Sequence, residues 1–563
     1  MTWYIDNPSV FEDEIESLNQ HAFDYEIDEP MKSQGRLIIL VKYVAEGEVL
    51  NLRCEYPPNY PYFSVKVSCE NFPPGRHLHP VDKGLCLFAD EQSKWHPSDK
   101  LATTIAQQIP KILEIHNNPT TMSDEEIDEG YQISGQMIYE PNSVIFVEDV
   151  ELPCDEISGL ATLGVNQSIK PSQTIPAIRG LLSLDKSPKK ANEAQSGHSI
   201  EKFFPKKLSI RWLNLEKTPS VATADELLEF AVSKLPALKT PNYGSHGVDI
   251  IALAFPEETS RDKVETNWAF IVRRRIKKTK KKYELLTSLV RADFYTKNNL
   301  NSRVPRLNGI DGKSVLLIGV GAIGSQVALQ LARAGIKKLT VIDCDILQAG
   351  NLSRWVPAFE FIGFHKAEAI RKLIFRAFPY VECHPVNMKI GVTPYVNTSE
   401  HEKIDSHDFL VDMIKDADIV VDCAAETNVS LYLSEVCARL NKSYMWATAT
   451  DGAWGGIVGK QSSENKRDVW KKFSYKIHAN EIKSPPGEKN AEVQPKGCFS
   501  PTFTGTGFDL DNISLMASRV CISMLLADES NAYPEFEWDV AVLNLWDEKT
   551  NLPLAPNWIT YNI

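Results

Sequence analysis

Between Ser314 and Gln330 the chain reads SVLLIGVGAIGSQVALQ, and this stretch limits what can be built around it. An apolar run of strand length enters Gly319-Val320-Gly321-Ala322-Ile323-Gly324. The spacing then changes so that Ile323, Val327 and Leu331 share one helical face. A buried strand feeding a helix is the unit of a parallel sheet, because a parallel neighbour is reached only through a crossover. The glycines let the turn tighten and the backbone approach a ligand. The helix start adds N–H donors and a positive dipole end, so a phosphate site is predicted here. A nicotinamide cofactor and ATP suit this pattern equally.

The residues that follow separate the two. The next strand, KLTVIDCD, ends in Asp343, placed to bond ribose hydroxyls, with Asp345 just beyond. GNLSRWV supplies Asn351 and Arg354, and IGFHKAEAIRKLI supplies Lys366. DADIVVDCAAE then puts Asp422 at the end of another strand, where ligands meet a parallel sheet. Hydride transfer has no use for an arginine, a lysine and a second strand-end acid around one nucleotide. Attack on an α-phosphate does: its charge must be neutralised, the pyrophosphate cradled and Mg²⁺ held by a carboxylate.

Over roughly residues 301–450 these motifs resemble the ThiF/MoeB/ubiquitin-activating adenylation family. The resemblance implies ATP and Mg²⁺ as cofactors, with Gly319, Gly321 and Gly324 forming the phosphate turn. It implies Asp343 on the ribose, Asp345 near the nucleotide and metal, and Asn351 and Arg354 on the phosphates. Lys366 would grip the α/β-phosphates, and Asp422 would bind Mg²⁺. Such cores are usually homodimers in which an upstream arginine reaches the partner's ATP, and Arg303 and Arg306 both stand in range. Bacterial sulfur-carrier activators usually hold zinc through two CxxC pairs. The ten cysteines here include no such pair, which favours the conjugating branch.

In that branch a cysteine on a polar segment after the core accepts the acyl group. HANEIKSPPGEKNAEVQPKGCFSPTFTGTG carries Cys498 among Pro, Gly, Ser and Thr, an accessible setting for a nucleophile. Cys423, Cys437 and Cys521 lie in apolar surroundings and read as core. Near the N-terminus, YPPNYPYFSVKV, HLHPVDKGLCLF and SKWHPSDKLATTIAQQIPKILEIHNNP resemble the signatures of ubiquitin-conjugating enzymes, in which Cys86 would be the acceptor thiol. Val81 stands where those enzymes carry an oxyanion-steadying asparagine, leaving His77, His79 or a backbone N–H as substitutes.

The expected architecture is α/β and multidomain. Residues 1–150 form a conjugating-like α+β domain, 151–204 a linker and 205–300 a small α+β module. Residues 301–563 form a Rossmann-like adenylation domain carrying the cysteine loop. A net charge of −13 and 43% hydrophobic content fit a cytoplasmic protein without direct nucleic-acid or membrane binding. The basic run Arg273–Lys282 reads as a solvated hairpin tip. The whole resembles bacterial fusions of activating and conjugating enzymes from cyclic-oligonucleotide (CBASS) anti-phage operons. That resemblance implies as partner the C-terminus of a cyclic GMP-AMP-synthase-like (CD-NTase) nucleotidyltransferase, joined in the end to a target amine. A non-conjugating adenylyltransferase or sulfur-transfer enzyme with an N-terminal binding module is the alternative.

Overall fold

The computed structural model describes residues 2–45, 47–73, 77–79, 82–87, 95–117, 134–148, 152, 156–166, 177–184, 200–219, 221, 223–243, 247–260, 263–277, 283–296, 303–356, 359–391, 395–396, 403–404, 406–463, 468–489, 492–493, 502–529 and 533–563. The chain divides into two compact units, Met1–Pro188 with Phe203–Tyr295, and Lys189–Lys202 with Thr296–Ile563. Cys498 and Val81 lie outside the described residues. Among the described residues no helix is long and apolar enough to cross a membrane.

In the first unit a single-turn helix, Trp3–Asp6, precedes helix α1 (Pro8–Gln20). An antiparallel meander of β1 (Asp24–Ile27), β2 (Ile38–Ala45), β3 (Glu48–Glu55) and β4 (Lys66–Cys69) follows, and then helix α2 (Leu101–Asn117). Alternation in β2 and β3 sends Ile39, Val41, Leu50, Leu52 and Cys54 into a core shared with Leu101, Ile105 and Ile109 of α2. Glu14 of α1 is fully buried and ties these parts together. It accepts from Tyr60 OH at 2.7 Å, Tyr56 OH at 3.1 Å and the Leu101 N–H at 2.8 Å, so three donors offset the cost of burying its charge.

A closed seven-stranded barrel follows. It is formed by β5 (Tyr139–Val147), β6 (Ser158–Val165), β7 (Arg179–Ser183), β8 (Lys206–Asn214), β9 (Val248–Ser260), β10 (Lys263–Lys277) and β11 (Tyr283–Phe294). Two expectations change here. β6 and β7 fall in the stretch expected to be linker. Their short apolar runs pair with each other, and β6 also pairs with β8 while β7 pairs with β5. The start of the basic run is not a solvated tip. Arg273 reaches the turn after helix α3 (Ala224–Lys234), donating to the Lys239 carbonyl at 3.2 Å, and its Nε donates to buried Asp249 at 2.8 Å. Arg211 donates to the same carboxylate at 2.7 Å. Arg274, next along the strand, faces the opposite side and pairs with Glu140. Both arginines are buried.

The second unit is an eight-stranded sheet. Its strands are β12 (Ser314–Ile318), β13 (Lys338–Ile342), β14 (Glu382–Val386), β17 (Ile419–Asp422), β18 (Ser443–Ala449), β19 (Gly455–Gln461), β22 (Val540–Asp547) and β23 (Leu552–Tyr561), in the order 14-13-12-17-18-19-22-23. The pairs from β14 to β18 are parallel and the remainder antiparallel. Two short ribbons, β15 (Tyr395–Val396) with β16 (Lys403–Ile404) and β20 (Glu492–Val493) with β21 (Thr502–Phe503), stand apart from it. Helices α4 (Ala322–Ala334), α5 (Lys366–Ala377), α6 (Ser406–Asp416), α7 (Thr427–Leu440), α8 (Val469–His478) and α9 (Gly507–Leu525) complete the unit. Val327 and Leu331 of α4 are fully buried against Ile513 and Ala517 of α9 in one core cluster. β12 has β13 on one side and β17 on the other, so the crossovers diverge. A crevice therefore opens beyond the strands' C-terminal ends.

Candidate active site

The glycine turn closes the C-terminal end of β12 and starts α4. Gly319 has φ +78°, and a Cβ there would stand 2.6 Å from the Ala424 Cα, so the turn lies directly on the backbone leaving β17. At Gly324 a Cβ would meet the Gly319 carbonyl oxygen at 1.9 Å. Gly321 differs: a Cβ there would meet nothing within 4 Å. Protein packing accounts for the first two glycines. At the third, the missing side chain leaves room beside the N-terminus of α4, where an anion would be held by free N–H groups.

Asp343 fixes this turn from the neighbouring strand. Its Oδ2 accepts from the Val320 N–H and its Oδ1 from the Asp345 N–H, each at 2.8 Å. Burial pushes its carboxyl up, with the Lys366 charge opposing. Trp355 holds the other side by donating from Nε1 to the Val320 carbonyl at 2.6 Å. Asp345 is exposed and pairs with Lys366 Nζ at 2.7 Å. The Lys366 N–H in turn donates to the Asp345 carbonyl at 2.8 Å as α5 begins.

Asn351 spends its Oδ1 on the Gln348 N–H at 2.9 Å, closing the 3-10 turn that delivers half-buried Arg354. Arg354 and Ser353 also border the start of α9, since a Cβ on Gly507 would lie 3.4 Å from the Arg354 Cα and 3.3 Å from the Ser353 carbonyl oxygen. The structure therefore brings Gly319, Gly321, Gly324, Asp343, Asp345, Lys366, Asn351 and Arg354 to one edge of the sheet. Arg303 and Arg306 are exposed in the segment before β12.

Asp422 reaches the same edge but does not fit a metal ligand. It is 1% exposed. Its Oδ1 accepts from the Ala424 N–H at 3.0 Å, and its Oδ2 from Ser430 Oγ at 2.6 Å and Tyr444 OH at 3.0 Å. Burial pushes its carboxyl up. Three donors and full burial describe a residue that shapes the loop after β17.

Sequence reasoning missed three parts of this edge. Ser430 and Tyr444 looked like ordinary helix and strand residues. Trp355 stood beside Arg354 in GNLSRWV, and that adjacency was the available signal. The third part is a cavity of about 330 Å³ lined by Met388, Ile390, Leu410, Val429 and Tyr432, with His407 Nδ1 2.7 Å from Tyr432 OH. It lies past the end of β14, whose Val386 carbonyl accepts the Asp343 N–H at 3.2 Å. Its lining comes from three separate segments, which no local motif marks.

The thiols sort by burial. Cys54, Cys69, Cys383, Cys423, Cys437 and Cys521 are buried, while Cys86 and Cys344 are exposed. Burial pushes the Cys437 thiol up to about 12. The two strands bracketing Cys498, β20 and β21, pair antiparallel. Their flanks are anchored just past the end of β18, through Glu488 N–H to the Asp451 carbonyl at 2.9 Å and a bridge between Gly452 and Gly505.

Comparison with known proteins agrees with this half of the chain. Residues 298–531 match the ThiF family. The y4oA protein of Sinorhizobium fredii is 26% identical over 588 residues, covering 99% of this chain and 95% of that protein. The ATP-dependent ubiquitin transferase-like protein Cap2 of Enterobacter hormaechei is 25% identical over 224 residues, covering 39% of this chain and only 34% of Cap2. Among solved structures, E. coli MccB with ATP aligns with 47% of this chain and 72% of its own, at 16% identity and a TM-score of 0.33. The glycine turn and the sheet strands from β12 to β19 thus lie within the segment that matches the ThiF family.

Proposed function

We propose that this protein uses ATP to adenylate the C-terminal carboxylate of a partner protein, takes the acyl group onto Cys498, passes it to Cys86 and joins it to a target amine. The observation carrying this reading is the open space at Gly321. It sits at the sheet's switch point beside the Lys366–Asp345 pair and Arg354.

The chain's own groups divide the work. Backbone N–H groups at the start of α4 receive phosphate oxygens, and Lys366 and Arg354 offset the charge that develops as the carboxylate oxygen attacks the α-phosphorus. Asp343 holds the turn at its distance from the strand end and offers its remaining lone pairs to a ribose. The apolar cavity beyond β14 suits a flat base. The acyl-adenylate is a mixed anhydride that an accessible thiol opens, and the anchored flanks of the Cys498 segment support delivery at this edge.

The N-terminal unit supports the second half. A helix, a four-stranded meander, an exposed Cys86 and the following helix α2 are compatible with the conjugating-like reading of this segment. The partner expected for the activated tail remains a CD-NTase-like nucleotidyltransferase, and the setting anti-phage defence. Similarity to Cap2, an ATP-dependent ubiquitin transferase-like protein, supports the ATP-dependent transfer chemistry. Adenylation cores of the family this chain resembles are usually homodimers, which would let transfer run within or between chains.

Pyrophosphate exchange tests the first step. Label should move from pyrophosphate into ATP when the chain is given a candidate C-terminal peptide, and Lys366→Ala should slow this about 100-fold or more. Exchange that ignores Lys366 would remove the nucleotide site from the reading. Full product formation by Cys86→Ala would instead favour a non-conjugating adenylyltransferase.

A further inference from the structure

We infer that His79, oriented by Asp82, accepts the proton of the amine that attacks an acyl group on Cys86. The inference rests on Cys86 being the acceptor thiol, as proposed above.

The chain around Cys86 folds back on itself. Leu78 and Leu85 face each other across an antiparallel bridge. The His79 N–H donates to the Gly84 carbonyl at 2.7 Å and the Cys86 N–H to the His77 carbonyl at 2.9 Å. A second bridge, Ser68 to Gly84, and the Leu85 N–H on the Val67 carbonyl at 2.8 Å join this ladder to β4. Leu78 and Leu85 are buried. Because neighbours alternate, His79, Gly84 and Cys86 turn to the opposite, solvent face. His79 and Cys86 are then diagonal neighbours, about 7–8 Å apart at Cα, a gap that a ring and an acylated thiol can bridge.

Asp82 is built to hold that ring. Its Oδ2 accepts from Lys66 Nζ at 2.6 Å and its Oδ1 from the Gly84 N–H at 3.1 Å. Burial pushes its carboxyl up, but Lys66, the Gly84 N–H and His79 together hold it below the usual value. His79 Nδ1 lies 2.8 Å from Asp82 Oδ1 and 3.2 Å from the Asp82 backbone nitrogen, contacts that select opposite tautomers. The shorter one, to an anion, puts the proton on Nδ1 and makes Nε2 the basic nitrogen. His77 is less suited, since its backbone is left-handed at φ +65° and its Nε2 is buried. In the step itself, His79 Nε2 takes one proton from the incoming lysine ammonium, and the freed nitrogen bonds to the thioester carbonyl carbon. The C–S bond then breaks, and the proton still surplus on nitrogen passes to the departing Cys86 sulfur, regenerating the thiol.

The test bypasses adenylation. Cys86 in the full chain is loaded by exchange with a glycyl-glycine thioester of mercaptoethanesulfonate. Loss of the acyl group from the Cys86 peptide is then followed by mass spectrometry after adding lysine or hydroxylamine. His79→Gln should slow discharge to lysine about 100-fold, the scale of a lost general base. Discharge to hydroxylamine, which is already neutral near pH 7, should change little. Asp82→Asn should shift the same ratio in the same direction by a smaller factor, and loading of Cys86 should match wild type in both variants. Equal slowing with both nucleophiles, or wild-type discharge to lysine in His79→Gln, would overturn the role. If acyl-Cys86 in the wild type reacts with lysine no faster than a free cysteine thioester does, Cys86 itself is not the acceptor, and the reading beneath the inference falls.

Discussion

Asp422 and Gly321 show how single residues at one sheet edge do different work. Asp422 is a carboxylate held in the interior by Ser430, Tyr444 and the Ala424 N–H, so Asp422→Asn should act on stability. Losing an acceptor beneath two hydroxyls costs about 1–3 kcal/mol. The magnesium concentration giving half-maximal exchange should stay unchanged, and a large increase would return the residue to the metal. The pH dependence has a definite sign. An acid whose folded pKa is raised favours the folded state fully only below its unfolded value near 4, and that contribution is lost as pH rises through the folded pKa. Melting curves from pH 4 upward should therefore show wild type losing ground relative to its value at pH 4, with Asp422→Asn flatter. Gly321→Ala should leave melting unchanged while weakening ATP binding at least tenfold, because the added methyl enters space that no protein atom uses. Gly319→Ala should do the reverse first. Its left-handed φ and the 2.6 Å approach to Ala424 predict misfolding or a loss of more than about 2 kcal/mol in thermal stability.

At the level of elements, legibility followed how local each signal was. The strand, turn and helix from Ser314 to Gln330 were readable because periodicity, glycines and a helix start agree within one short window. The same holds for β13 with Asp343 and for β17 with Asp422. The barrel was not readable as such. Its seven strands are collected from residues 139–294, and the parallel pairs β5–β7, β5–β11 and β8–β9 join segments far apart in sequence. Nothing local in RGLLS announces those neighbours. The basic run misled for a related reason, since charge density alone does not tell that Asp249 waits on the adjoining strand. Arg273→Ala should therefore destabilise the barrel by about 3–5 kcal/mol, read as a lowered melting temperature, because it strands a buried carboxylate with one partner fewer. A solvated tip would tolerate the change within about 0.5 kcal/mol.

For the whole molecule, the sheet unit offers a site for making an activated acyl group, and the N-terminal unit offers an exposed thiol beside a paired histidine. Buried thiols of the core cannot serve as carriers, since burial keeps them protonated and out of reach. In the proposed relay over Cys498 and Cys86, each thioester conserves the activation taken from ATP. Tethering both thiols on one chain raises their mutual concentration toward the millimolar range when the span fits. The most direct measurement is intact mass of the purified chain after incubation with ATP, magnesium and a candidate partner tail, under non-reducing conditions. Wild type should carry a thiol-labile adduct on Cys86. Cys86→Ala should hold it on Cys498, and Cys498→Ala should hold none while still exchanging pyrophosphate. A Cys498→Ala chain that loads Cys86 as well as wild type, or a wild type that exchanges pyrophosphate yet loads neither thiol, would contradict the relay.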